Sequence, residues 1–66
     1  MKIELNGQPL EVAAGATLST LLLVEGLAER RVAVEVNGEI VPRGVHATHA
    51  LGEGDRVEIV HALGGG

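Results

Sequence analysis

Leu63-Gly64-Gly65-Gly66 is the stretch of this chain whose residue types could carry chemistry. Glycine has no Cβ, so the run admits nearly any backbone angle and can thread a channel too narrow for other residues. Extended, three residues reach about 10 Å, at roughly 3.3–3.6 Å each, enough to bring a terminal group into a partner's active site. If Gly66 ends the chain, its α-carboxyl group, with a reference pKa of about 3.3–3.7, is ionised at neutral pH. A carboxylate can attack an activated phosphate, and the acyl-adenylate so formed can be opened by sulfur or nitrogen. Gly66 has no side chain to obstruct that acyl carbon. The competing reading is a frayed end, and the scaffold before the tail has to decide between the two.

The other candidate groups offer less. Cysteine is absent, which removes disulfides, a thiolate nucleophile and any Cys-based zinc site. His46 and His49 could meet on one helical turn, yet no third ligand stands out, and the ordinary reading is two solvated histidines. His61 is expected at the edge of the last strand, where it would line a partner interface. Thr17, Ser19 and Thr20 belong to a helix start and pair with no visible base. Glu53 and Asp55 sit among glycines as a turn, since a calcium loop needs several more oxygen donors.

Composition narrows the partners. At 66 residues the chain is one domain, near the lower size at which a single core holds a fold unaided. It has no Phe, Tyr or Trp, so the core must be Val, Leu, Ile and Ala, and stacking on nucleic-acid bases is not possible. A formal charge of −4 argues against a phosphate backbone and for a basic protein surface. No apolar stretch approaches the length of a membrane span, and no basic–apolar leader opens the chain. A cytoplasmic protein with no nucleic-acid or membrane partner is expected.

The elements that must position the tail follow from periodicity. Met1 to Asn6 alternates apolar and polar residues, Asn6-Gly7 is a tight-turn signal, and Leu10-Glu11-Val12 resumes the alternation, which predicts a hairpin. Thr17 is a candidate N-cap for a helix from Leu18, with Leu18, Leu21 and Leu22 on one face and Gly26 as its stop. The run Leu21 to Val24 also suits a buried strand; the cap signal favours helix, with Leu23 or Val24 available as an exposed contact. Val32, Val34 and Val36 point one way on a central strand, Asn37-Gly38 is a second hairpin turn, and Pro42 halts the returning Glu39-Ile40-Val41. Residues 44–51 stay undefined. Arg56 to Leu63 closes the domain as a strand with Val57 and Ile59 inward and Val60 outward.

The order predicts an α+β fold, a mixed sheet of four to five strands packed on one helix, with first and last strands parallel and adjacent in its middle. Residues 1–63 would form the domain and 64–66 a flexible glycine tail. Docking is expected on the outward sheet face beside the tail, through Val60, Ala62 and Leu63, with Arg43 as a polar anchor.

This order and length, ending in glycines, resembles the ubiquitin-like β-grasp proteins and, more narrowly, the thiamin-biosynthesis sulfur carrier family, ThiS. The resemblance spans the whole chain. It rests on the opening strand-Asn-Gly-strand, on Ala14-Gly15-Ala16-Thr17-Leu18, and on Val36-Asn37-Gly38-Glu39-Ile40-Val41-Pro42-Arg43. Gly54-Asp55-Arg56-Val57-Glu58-Ile59 and Gly64-Gly65-Gly66 complete it. It implies a carrier and not an enzyme. An E1-like adenylyltransferase would use ATP and magnesium to convert the Gly66 carboxylate to an acyl-adenylate, the carrier itself binding no cofactor. Sulfur from a cysteine desulfurase or another persulfide donor would leave a thiocarboxylate, and a thiazole synthase would take that sulfur. Gly64 and Gly65 would let the partner's backbone approach closely. Two other readings share the fold: a carrier for molybdopterin synthesis or a ubiquitin-like modifier, and an interaction module with an inert tail.

Overall fold

The computed structural model describes residues 1–61. Five strands and one helix follow in the order β1 (Lys2–Leu5), β2 (Gln8–Glu11), α1 (Leu18–Val24), β3 (Val32–Val36), β4 (Glu39–Ile40) and β5 (Arg56–His61), with a single 3-10 turn at Arg43–Val45. The sheet order is β2-β1-β5-β3-β4. β1 and β5 run parallel in its middle, and the other pairs are antiparallel. This is the β-grasp arrangement expected from the sequence.

Both hairpins turn on Asn-Gly. Asn6 and Gly7 have φ of 50° and 83°, and Asn37 and Gly38 have 53° and 87°. Paired positive φ is the geometry whose twist suits adjoining antiparallel strands, and asparagine tolerates it better than other residues with a Cβ.

Alternation then divides each strand between two faces. Ile3, Val34, Val36, Val57 and Ile59 are buried on one side, where Leu18, Leu21 and Leu22 of α1 cover them. Each such side chain contributes about 1.5–3 kcal/mol by leaving water. With no aromatic residue in the chain, this Leu/Val/Ile layer is the main source of stability. Leu23 and Val24 lie on the far side of the helix and are exposed. The helix ends in paired reverse bonds, Leu27 N–H to the Leu22 carbonyl (2.7 Å) and Gly26 N–H to that of Leu23 (3.1 Å), with Gly26 at φ 75°.

Residues 44–51 have a definite role. Thr17 Oγ1 accepts from the Thr20 amide at 3.2 Å, as the cap signal implied. The amides of Leu18 and Ser19, which have no partner within the helix, donate to the carbonyls of His49 and His46, both at 3.1 Å. Leu51 N–H then bonds Ala16 O at 2.9 Å beside a bridge between Thr17 and Ala50. The segment is a strap that supplies acceptors to the helix entry.

The two sheet edges are blunt. Val12 N–H bonds Met1 O, so along β2 the amide at every second position faces inward and that of position 9 faces out. Position 9 is Pro9, which has no amide hydrogen to offer a further strand. At the other edge β4 is two residues long and Pro42 follows shortly after. Among the described residues no helix is long and apolar enough to cross a membrane.

Candidate functional site

β5 is the strand that leads to the predicted tail, and the fold braces it on both flanks. On the β1 side, the Asn6 amide donates to Val57 O at 2.9 Å, and the Asn6 side-chain oxygen accepts from the Ile59 amide at 2.8 Å. β1 proper stops at Leu5, so the Asn6 side chain supplies the acceptor that a longer β1 would have given. On the β3 side, Asn37 Oδ1 accepts from the Arg56 amide at 2.9 Å and Asn37 Nδ2 donates to Asp55 Oδ1 at 3.0 Å. The other Asp55 oxygen accepts from Gly52 N–H at 2.8 Å, closing the turn that feeds β5. Glu53 completes this turn by accepting from the Lys2 amide at 3.2 Å. Both asparagines thus act twice, once through backbone angle and once through side chain. Turn chemistry alone foretold only the first.

Ala62, Leu63, Gly64, Gly65 and Gly66 lie outside the described residues. Of the expected docking residues, Val60 stands on the sheet face away from the helix, directly opposite Ala33 on β3, and is 59% exposed. His61 ends the described part of β5 opposite Val32 and is exposed.

Arg43 does not join Val60 on that face. It lies in the 3-10 turn and lines a small concavity with Ser19, Leu22, Ala28 and His46, on the helix side of the sheet. The reason is Pro42, which ends the pairing of the β4 segment and sends the chain across to the helix entry.

His46 also departs from expectation. It is buried, and its Nε2 lies 2.9 Å from the Val41 carbonyl. A carbonyl oxygen only accepts, so Nε2 carries the proton and is committed to that bond. His49 is half-buried, and its backbone serves the helix entry. Among the described residues no three or more metal-ligating side chains gather. The Thr17 and Thr20 hydroxyls are engaged with each other at the helix cap.

The open sheet face holds what the sequence did not disclose. In the β3–β5 register Glu35 lies directly opposite Glu58, and Ile40 on β4 lies opposite Glu35 from the other side. Alternation predicts that each points outward; only the register brings the two acids together. Among the described residues the sole ion pair is the Met1 ammonium with Glu11, 3.1 Å, so neither carboxylate has a cationic partner there. The face therefore combines exposed apolar groups, Ala33, Ile40 and Val60, with negative charge, an arrangement suited to binding another protein.

Comparison with known proteins agrees with this architecture. A model of the ThiS family matches residues 3–66. The sulfur carrier protein ThiS of Escherichia coli is 37% identical over 68 residues, covering the whole of both chains. The thiazole synthase of Magnetococcus marinus is 48% identical over 66 residues, which are 100% of this chain and 20% of that protein. The chain thus spans about a fifth of the length of that relative, and the same share of the thiazole synthase of Paramagnetospirillum magneticum, at 44% identity. Among solved structures, the thiamine biosynthesis protein (ThiS) from Geobacter metallireducens superposes with a TM-score of 0.86 at 33% identity, covering 100% of each chain.

Proposed function

The chain belongs to the ThiS family, and from that premise we propose that it is a cytoplasmic sulfur carrier of thiamin biosynthesis whose reactive group is the α-carboxylate of Gly66. The observation that carries this reading is the end-to-end match to a protein named as a sulfur carrier in Escherichia coli. An E1-like adenylyltransferase, with ATP and magnesium, joins the carboxylate oxygen to AMP and releases pyrophosphate. The terminal sulfur of a persulfide donor, itself supplied by a cysteine desulfurase, displaces AMP to give an acyl disulfide. A thiol such as excess cysteine cleaves its S–S bond, leaving a thiocarboxylate on Gly66 and a disulfide on the donor. A thiazole synthase then accepts the sulfur. Its role as acceptor is supported by two relatives named thiazole synthase that contain the equivalent of this whole chain.

The chain's own part is presentation. Gly64 and Gly65 offer no side chain to a narrow channel, and the braced β5 fixes the point from which the tail departs. Val60, with Ala62 and Leu63 beyond it, forms the docking surface nearest the tail. Arg43, lying on the helix side, serves only a partner that wraps around to the helix entry.

The test is mass spectrometry of the intact protein after incubation with the adenylyltransferase, ATP, magnesium, a cysteine desulfurase and cysteine. A shift equal to exchanging one oxygen for sulfur is expected. An unchanged mass, with the adenylyltransferase shown active on a known carrier, rules the reading out. Offering the loaded protein to a thiazole synthase and to a molybdopterin synthase then distinguishes the two pathways.

A further inference from the structure

The open sheet face breaks a rule of sheet design at its centre. Like charges directly opposite on neighbouring strands repel, and Glu35 and Glu58 are held in that relation by the β3–β5 register. Glu35 is half-buried as a residue, and Glu58 beside it is exposed. Glu4 and Arg56 are neighbours on the same face, in the β1–β5 register. These four side chains, with Gly7 and Gly38 of the two turns, line a concavity of ≈ 200 Å³. Three carboxylates against one guanidinium leave it negative. Exposed Val60 and Ile40 border the acidic pair along the sheet. Repulsion retained inside a folded sheet is explained if a cation from outside relieves it.

We propose that this concavity receives an arginine or lysine side chain of the adenylyltransferase, with Val60 and Ile40 seated against apolar residues around that cation. The proposal rests on the carrier reading above. Charge complementarity defines the occupant: three carboxylates stand against one guanidinium in this concavity, and a net charge of −4 steers the chain toward a basic surface. In the relatives that hold carrier and synthase sequences in one chain, the synthase is already tethered. In those relatives the activating partner is the one met by diffusion, and long-range attraction accelerates such an encounter.

The test compares the wild-type chain with Glu35→Gln/Glu58→Gln. Three quantities are measured: thermal midpoint, Kd for the adenylyltransferase across a salt series, and loading of Gly66 by intact mass. Neutralising the pair is expected to leave the midpoint unchanged or raise it. Kd should weaken by about tenfold or more at low salt, with a flatter salt dependence. A purely structural role does not produce that opposition between stability and affinity. Wild-type affinity and salt slope in the variant overturn the proposal, as does a loss of affinity that only tracks a loss of folded protein. In either case a wild-type chain that is still loaded leaves the carrier reading standing. A wild-type chain that neither binds nor is loaded removes both.

Discussion

Asn6 and Ile59 are 53 positions apart, and the amide of one donates to the side-chain oxygen of the other at 2.8 Å. The bond joins the first turn to the strand that leads to the tail. Asn6→Gly keeps the backbone angle and loses the bond, and should destabilise by about 1 kcal/mol. Asn6→Ala loses the same bond and also the side-chain amide that lets asparagine tolerate φ of 50°, adding about 1–2 kcal/mol. Urea unfolding of the two variants separates these contributions, and equal midpoints would show that the angle contributes nothing.

The helix offers a sharper contrast. Leu21 is 1% exposed and Leu23 is 68% exposed, though one residue separates them. Leu21→Ala should cost about 2–5 kcal/mol, enough to leave so small a domain largely unfolded. Leu23→Ala should change stability by less than about 0.5 kcal/mol. Circular dichroism melts would reveal similar losses if the helix were rotated from the orientation described.

His46 should behave as a structural residue. His46→Ala removes the donor that satisfies the Val41 carbonyl and should cost about 1–3 kcal/mol. His49→Ala should cost less, its ring being only half-buried. Isothermal titration with zinc, before and after the His49 substitution, should give no distinct high-affinity event, since His46 Nε2 is already engaged.

Pro9 protects an edge. Pro9→Val restores an outward amide on β2 and adds a β-branched side chain, so concentration-dependent association is expected in sedimentation experiments. A strictly monomeric variant at high concentration would place the protection elsewhere.

Removal of Gly66 tests the carrier reading directly. If Gly66 belongs to a tail, the shortened chain should melt within about 1–2 °C of the parent. It should acquire no sulfur in the loading assay. Loading at undiminished rate would move the reactive group away from Gly66.

Period-2 alternation, two Asn-Gly turns and one capping threonine were enough to read the strands, the helix and the parallel central pair from the sequence. These signals are local. Glu35 and Glu58 were legible as outward residues, but their meeting depends on a register set by the whole β3–β5 pairing. The helix-entry strap escaped for a similar reason: its carbonyls serve amides more than two dozen positions earlier in the chain. Its backbone does the work, and backbone acceptors leave no residue-type signature. His46 misled because a polar residue in a Gly- and Thr-containing segment looks solvated until its acceptor is known.

β5 lies between a parallel and an antiparallel neighbour, with no free side along the sheet. Tension applied from its C-terminal end therefore loads the ladder to β1 lengthwise, so that several bonds must yield together instead of parting singly. A partner that tugs on the terminus, or a neighbouring unit joined there, would strain its own grip before it drew this strand out.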